Sequence, residues 1–186
     1  MTEPIAVESR RAADERVNTL RARYGAFPTI QVTFRDDPER FRRGVEQFRA
    51  GFRGAARVRV EDDDGRVLLI REGGRDGWGL PGGGNEPAET LAETARREAF
   101  EEAGVETELT GVWAAARRRY VDRETPERRG YLLSVVFEGR RVGGQAGVSP
   151  ERLDDDERVL AADWFETPPP DTRAVVAEPT AWRPLS

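Results

Sequence analysis

A glycine-rich loop that runs directly into a short helix constrains this chain more than any other feature. Residues 82–105 read GGGNEPAETLAETARREAFEEAGV. Thr90 and Glu93 have the spacing of a capping box, which places the start of the helix at Leu91, and Gly104 is typical of a helix C-terminus. The sequence therefore predicts a helix of about 13 residues, preceded by a loop whose backbone can approach a ligand closely.

The two faces of this helix differ in chemistry. Small and apolar side chains share one arc, which predicts packing against a sheet: Leu91, Ala92, Ala95, Ala99 and Ala103. Glu98, Glu101 and Glu102 lie on the adjoining arc, so three carboxylates are expected to converge within one turn. Like charges this close repel each other, and Arg97 alone leaves a surplus of negative charge. A hard divalent cation such as Mg²⁺, which prefers oxygen ligands, would compensate.

The same stretch resembles the signature of the Nudix hydrolases, called the Nudix box, in which a glycine, a glutamate and the segment REUxEExGU stand at fixed spacings, with U aliphatic. The seven fixed positions are all matched: Gly83, Glu89, Arg97, Glu98, Glu101, Glu102 and Gly104. Ala99 departs from the larger aliphatic residue usual at its position. The segment from Trp78 to Gly84 also resembles the loop that leads into the box.

The resemblance implies an α/β fold, namely a Nudix-type α/β/α sandwich around a mixed β-sheet. It also implies Mg²⁺-dependent hydrolysis of a diphosphate linkage in a small-molecule nucleotide, with Mn²⁺ as the alternative ion. The metal ligands that it implies by position are Glu98, Glu101, Glu102 and a carbonyl of Gly82 or Gly83. Arg97 and Glu89 would orient the glutamates.

The general base stays open between a glutamate of the box and a carboxylate outside it. The acidic run 154–157 precedes a predicted strand and supplies the outside candidate, of which Glu157 is favoured. A solvated acidic loop is the alternative interpretation of this run. The chain contains no His and no Cys, which excludes imidazole bases and thiolate nucleophiles.

Candidate substrate contacts follow the box. Alternation along a strand would put Arg117, Arg119 and Trp113 on one side and Arg118 and Tyr120 on the other. An arginine can clamp a phosphate and an aromatic ring can stack on a base, which makes Arg117, Arg119 and Tyr120 the candidates. A solvated strand edge is the alternative. The sequence does not separate ADP-ribose-like substrates from nucleoside triphosphates.

The chain divides into three segments by composition. These are an N-terminal helical extension at 1–53, the Nudix hydrolase domain at 54–167 and a Pro-rich C-terminal tail at 168–186. The extension should contain a helix ending at Tyr24, a strand over 30–34 and a second helix capped by Asp37. It fits three roles, a lid, a homodimer contact or a cap on the sheet, and packing on its own domain is favoured.

Strand patterns dominate the domain outside the box helix. Residues 58–70 predict a β-hairpin, and further strands are expected near 109–116, 131–137 and 159–165. A single helix among many strands agrees with the α/β fold class.

Charge and hydrophobicity exclude several partner classes. With 30 basic and 35 acidic residues, the net charge of -5 argues against general binding to nucleic acid or to an anionic membrane. No window approaches ~18 consecutive apolar residues, and the N-terminus lacks a signal-peptide pattern, so a cytoplasmic location is expected. The alternative function is a non-catalytic Nudix-fold domain that senses a nucleotide or binds a partner. Because all four box glutamates are present, the enzyme is favoured.

Overall fold

The computed structural model describes residues 4–149 and 159–173. Helices and strands follow one another in this order: α1 Ile5–Tyr24, β1 Thr29–Asp36, α2 Pro38–Arg49, β2 Gly54–Glu61, β3 Val67–Glu72, β4 Trp78–Gly79, β5 Gly82–Gly84, α3 Leu91–Ala103, β6 Val105–Asp122, β7 Arg129–Gly144 and β8 Val159–Phe165. Within these residues, no helix has the length and hydrophobicity needed to span a bilayer.

The N-terminal extension is built into the sheet. Helix α1 buries Ala13, Val17 and Leu20 at the predicted spacing and packs on β6 and β7. Strand β1 pairs in parallel with β6. Helix α2 begins as predicted, since the Asp37 side chain accepts a hydrogen bond from the Arg40 backbone N–H. The extension therefore packs on its own domain, which is the role that the sequence favoured.

All eight strands belong to one mixed sheet. Its main order is β1-β6-β7-β2-β3-β4, with β5 paired to β2 and β8 paired to β3. The β1–β6 and β2–β7 pairs are parallel and the other pairs are antiparallel. A mixed β-sheet with flanking helices and an N-terminal helix is thus confirmed.

The predicted β-hairpin at 58–70 is correct only at its turn. Glu61 and Val67 form the single residue pair between β2 and β3. Beyond the turn the two strands diverge, because β2 pairs with β7 and β5 while β3 pairs with β4 and β8. Each strand finds longer partners elsewhere in the chain, which a local pattern cannot reveal.

Strands β6 and β7 are about twice as long as predicted. They pair with each other over most of their length, with register shifts that include one between Val112 and Ala114. Only their central parts are apolar enough to give a strand pattern. The polar ends of β6 and β7 are also extended, because each strand supplies backbone hydrogen bonds to the other.

The main core lies between the sheet and the helices α1 and α3. The helix alanines Ala95, Ala99 and Ala103 are fully buried in one cluster with Val58 of β2 and Val17 of α1. Small side chains let α3 approach the sheet closely, as the sequence predicted. A smaller apolar cluster, Val67, Leu69, Leu80 and Val136, lies apart from this core. A cleft lies beside the smaller cluster, since Leu80 and Val136 belong to both.

Candidate active site

Local capping fixes the position of helix α3. The Thr90 hydroxyl accepts a hydrogen bond from Glu93 N–H at 3.2 Å, and Glu93 Oε2 accepts one from Thr90 N–H at 2.8 Å. Gly104 ends the helix in the left-handed conformation, with φ of 71°. The predicted ends of the helix are therefore confirmed, and they set which way each glutamate of the box points.

Arg97 is the centre of the polar network. Its Nε donates to Glu89 Oε1 at 3.0 Å and its Nη1 donates to Glu101 Oε2 at 2.7 Å. Its Nη2 donates to the Gly84 carbonyl at 3.1 Å and lies 3.0 Å from Glu98 Oε1. The planar guanidinium thus joins the box helix to the loop before it.

Glu89 holds Arg97 from the loop side. It accepts hydrogen bonds from Glu86 N–H and from the Thr94 hydroxyl as well as from Arg97. Although burial alone would raise the pKa of Glu89, these hydrogen bonds lower it below its ordinary value. Burial alone would lower the pKa of Arg97, but its bonds to Glu89 and Glu101 raise it. Both groups are therefore charged over the whole neutral range.

The glycine strand β5 lies against two buried glutamates. Glu98 and Glu102 are only 3% and 4% exposed. The Gly82 N–H donates to Glu102 Oε2 at 2.7 Å, and a Cβ at Gly83 would collide with the Glu98 carboxylate. Gly82 has φ of 148°, and a side chain there would also meet the Ala56 carbonyl. Glycine is required at both positions because the backbone passes this close to its neighbours.

The donor atoms of the site suit a hard divalent cation. Carboxylate oxygens of Glu98 and Glu102 lie beside the backbone of Gly83 and Gly82, and Arg97 links Glu101 to this group. Oxygen is the ligand atom that such cations prefer. The carboxylates nevertheless point to separate protein partners, and residues 4–149 and 159–173 contain no group of three acidic side chains placed to hold a metal. The predicted convergence of the three is therefore not seen, because Arg97 holds Glu101 and Gly82 holds Glu102.

A cleft of about 610 Å³ opens on the sheet face that carries Leu80 and Val136. This volume is in the range of small-ligand sites. Arg57 lines the cleft and pairs in the sheet with Gly82, so one cleft residue belongs to the strand next to the glycine strand. Arg75, Arg118 and Arg173 line it as well.

The predicted substrate residues do not lie together in the cleft. Arg117 forms an ion pair of 2.8 Å with Asp14 of α1, away from the cleft, and Arg119 is not part of the cleft lining. Arg118 lines the cleft instead. Tyr120 stacks on Phe34, with ring centroids 5.2 Å apart, and borders a second cavity of about 360 Å³ beside α2. Burial raises the pKa of Tyr120.

The prediction that Trp113 shares a side with Arg117 and Arg119 is wrong. Trp113 packs on the smaller cluster, whereas Arg117 reaches α1 on the other face. The register shift between Val112 and Ala114 breaks the alternation on which the prediction relied.

One predicted residue cannot be placed, and two cleft residues were not predicted. Glu157, the outside candidate for the general base, lies beyond the described residues. Sequence reasoning missed Arg57 and Phe34 as cleft residues. One signal was available for Arg57, since it and Arg59 alternate with apolar residues in a strand that is otherwise buried.

The fold and this network define a Nudix hydrolase domain. The model of the NUDIX domain family matches residues 51–176 of the 186, and the chain belongs to this family. The family generally uses divalent metals, which agrees with the oxygen-rich donor set.

Parts of the chain are similar to individual proteins. The chain is 37% identical over 114 residues to an RNA pyrophosphohydrolase of Halorhodospira halophila, covering 54% of this chain and 63% of the relative. It is 42% identical over 95 residues to a MutT-like protein of Streptomyces ambofaciens, covering 50% of this chain and 54% of the relative. The chain thus spans less than two thirds of each relative. A solved NUDIX hydrolase of Nitrosomonas europaea is 25% identical and has a TM-score of 0.41, covering 61% of this chain and 71% of that one.

Proposed function

We propose that this protein is a pyrophosphohydrolase, which cleaves a diphosphate linkage of a nucleotide by attack of water at phosphorus. The observation that carries the proposal is the arrangement of a complete Nudix box around the glycine strand β5. Arg97 contacts the Gly84 carbonyl and the buried Glu98, and the buried Glu102 accepts a hydrogen bond from the Gly82 N–H. The names of the relatives support the same reaction class, since several are RNA pyrophosphohydrolases.

Mg²⁺ is the ion that we propose for the site, with Mn²⁺ as the alternative. Glu98, Glu101 and Glu102 would hold it, together with a carbonyl of Gly82 or Gly83. When bound, such an ion neutralises phosphate charge and acidifies a coordinated water. Two of these glutamates, Glu98 and Glu102, are nearly unexposed and lie against the glycine strand, where Arg97 contacts Glu98 and the Gly82 N–H donates to Glu102.

Arg97 acts as a positioning residue in this proposal. It contacts three glutamates and the Gly84 carbonyl, so it fixes the helix and the loop relative to each other. Because Arg97 already bonds one oxygen of Glu101, the second oxygen of that carboxylate is the one left to face a metal. Glu89 keeps Arg97 oriented through two of its nitrogen atoms.

Because the chain has no histidine and no cysteine, a carboxylate or a metal-bound hydroxide is the proposed general base. We propose Glu157 for this role, with a glutamate of the box as the alternative. The cleft lined by Arg57 is the proposed place for the nucleotide, since Arg57 pairs in the sheet with Gly82 and the cleft has the volume of a small-ligand site.

The test is hydrolysis of a substrate panel by the full chain. The panel contains ADP-ribose, nucleoside triphosphates, sugar nucleotides and diadenosine polyphosphates, each incubated with Mg²⁺ and with a chelator, and the products are separated by chromatography. We expect turnover of at least one compound, a nucleoside monophosphate among the products, and loss of turnover with the chelator. A folded protein that binds a nucleotide but hydrolyses none would contradict the proposal and favour a sensing domain.

A further inference from the structure

Asn85 lies in the loop between strand β5 and helix α3, and it is only 6% exposed. Its Oδ1 accepts hydrogen bonds from the backbone N–H groups of Arg53 at 2.7 Å and Gly54 at 3.0 Å. Its Nδ2 donates to the carbonyls of Gly51 at 3.2 Å and Glu86 at 2.8 Å. The side-chain amide thus uses both lone pairs of its oxygen and both hydrogens of its nitrogen. Removal of this amide would leave four buried or half-buried backbone groups without these bonds.

The bonds of Asn85 join the end of the N-terminal extension to the box loop. Residues 51–54 connect α2 to β2, and the Arg53 carbonyl accepts a hydrogen bond from the Leu133 N–H of β7 at 3.2 Å. A Cβ at Gly51 would lie 3.3 Å from Pro87 of the box loop. The loop 51–54 therefore lies directly on the box loop and is itself anchored to the sheet.

The residues after Asn85 form a tight turn that leads to Glu89. The Glu89 N–H donates to the Glu86 carbonyl at 3.1 Å, and the Glu86 N–H donates to Glu89 Oε2 at 3.0 Å. Pro87 and Ala88 are the two central residues of this turn, and Ala88 has φ of 68°. Proline followed by a residue with positive φ is typical of a type II turn, in which glycine normally takes the second central position.

Alanine at this position makes the turn strained. Within the described ranges 4–149 and 159–173, Ala88 is the residue other than glycine that has a positive φ. The side chain of an alanine disfavours this conformation by roughly tenfold relative to glycine. Because Ala88 is exposed, burial of its side chain does not offset the cost. The bond from Asn85 to the Glu86 carbonyl instead holds the peptide at which the turn begins.

The turn is connected to the Arg97 network through Glu89. Both oxygens of Glu89 contact Arg97, at 3.0 and 3.3 Å, and one of them also accepts the hydrogen bond from the Glu86 N–H. Arg97 in turn contacts Glu98 and Glu101. A displacement of the turn would therefore move the carboxylates that we propose as metal ligands.

We infer that Asn85 is a positioning residue for the reaction: it ties the loop 51–54 to the turn 86–89 and keeps this turn in the conformation in which Glu89 holds Arg97. This inference rests on the proposed function, because it concerns the geometry of the same site. Asn85 does not line the cleft proposed for the nucleotide, so it acts through the turn and not through the substrate. The N-terminal extension thereby supports the Nudix box as well as packing on the sheet.

The kinetic test compares Asn85→Ala with Asn18→Ala, which removes the other asparagine of the chain from an exposed position on α1. On the best substrate of the panel with Mg²⁺, we expect Asn85→Ala to lower kcat by about 10- to 100-fold, as for a displaced catalytic group. The KM should change by less than about 3-fold, because Asn85 lies outside the cleft lining. Asn18→Ala should keep both values. A wild-type kcat in Asn85→Ala, or a change in KM alone, would overturn the inference.

A second comparison tests whether Asn85 acts through the strained turn. Asn85→Ala is measured again in a protein that carries Ala88→Gly, because glycine adopts a positive φ without strain. The loss of kcat caused by Asn85→Ala should then be about 5- to 10-fold smaller. An equal loss with Ala88 and with Gly at this position would show that Asn85 does not act through the turn.

A variant at Ala88 keeps the inference testable if Asn85→Ala fails to fold. Ala88→Val leaves the bonds of Asn85 in place, and a β-branched residue disfavours a positive φ more than alanine does. Because position 88 is exposed, the substitution strains the backbone without disturbing the core. We expect a kcat about tenfold lower than that of the wild type. An unchanged kcat would overturn the inference.

Amide hydrogen exchange separates this inference from the proposed function, because it needs neither metal nor substrate. In metal-free Asn85→Ala, followed by NMR, the N–H groups of Glu86 and Glu89 should exchange at least about tenfold faster, while that of Ala99 in α3 keeps its rate. Equal acceleration at all three would reflect a loss of overall stability and would overturn the inference. If the wild type hydrolyses no compound but exchange rises at Glu86 and Glu89 alone, the proposed function fails and the hold of Asn85 on the turn stands. If the wild type is active and exchange does not rise there, the inference is wrong.

Discussion

Replacing Arg97 by Gln removes the guanidinium that contacts Glu89, Glu98 and Glu101. The Arg97 side chain is 19% exposed and that of Glu89 is 13% exposed, so the pair is largely shielded from water. Breaking a buried ion pair on one side leaves an uncompensated charge and costs about 3 to 5 kcal/mol. Because both side chains keep some exposure, we expect Arg97→Gln to lower the free energy of unfolding by about 3 kcal/mol.

A double-mutant cycle isolates the Arg97–Glu89 interaction. Two nitrogen atoms of Arg97 contact Glu89, at 3.0 and 3.3 Å. Such a two-point contact at a largely buried site should give a coupling energy of about 2 kcal/mol between Arg97→Gln and Glu89→Gln. The exposed pair Arg43–Glu39 has a similar distance of 2.9 Å, but its side chains are 60% and 65% exposed. Its coupling energy should be about 0.3 to 0.5 kcal/mol.

Both cycles can be measured by urea unfolding with chelator present. Tryptophan fluorescence follows the transition, since the chain has four tryptophans. An unchanged dependence on urea shows that each variant unfolds from the same native state. Additive effects of Arg97→Gln and Glu89→Gln, within about 0.5 kcal/mol, would refute the view that this pair holds the box together.

Three further predictions follow from the same geometry. Gly83→Ala places a methyl group against the Glu98 carboxylate and should lower kcat by roughly tenfold, which is about 1.4 kcal/mol in activation free energy. Gly147→Ala is the control, because the space around Gly147 is open, and it should leave kcat unchanged. Equal kcat values for the two variants would contradict the prediction. Leu91→Ala should lower the free energy of unfolding by about 2 to 5 kcal/mol while the folded fraction keeps its kcat; a loss under about 1 kcal/mol would show that Leu91 is not a core residue. The pKa of Glu89 is lower in the folded protein than its ordinary value of 4.5, so ionised Glu89 stabilises the fold above pH 4.5, and this stabilisation is lost as the pH falls through the folded pKa. The difference in unfolding free energy between wild type and Glu89→Gln should therefore shrink below about pH 4.5. A difference that stays constant down to about pH 3 would contradict the lowered pKa.

Local signals predicted the box helix closely. Thr90 and Gly104 gave both of its ends, and the spacing of its alanines gave its buried face. These features depend on residues within a few positions of one another, so a single sequence contains them. The first helix and the Asp37 cap of the second were predicted for the same reason.

Features that depend on distant pairing were not predicted. The strands on either side of Gly65 separate because each pairs with remote segments, and one shift in β6 placed Trp113 on an unexpected face. Phe34 entered the cleft only because β1 pairs with β6. The sequence named the glutamates of the box but not their partners, since Arg97 and Gly82 hold Glu101 and Glu102 through contacts set by the loop.

The most direct test of the proposed activity is the turnover of Glu102→Gln with Mg²⁺. Glu102 is buried against Gly82, whereas Glu106 on β6 is exposed and serves as the matched control. On the best substrate of the panel, we expect Glu102→Gln to lower kcat by about 100-fold or more, which is about 2.7 kcal/mol, with Glu106→Gln equal to wild type. Both variants should remain folded. A folded Glu102→Gln protein with the kcat of the wild type would contradict the assignment of the box as the catalytic metal site.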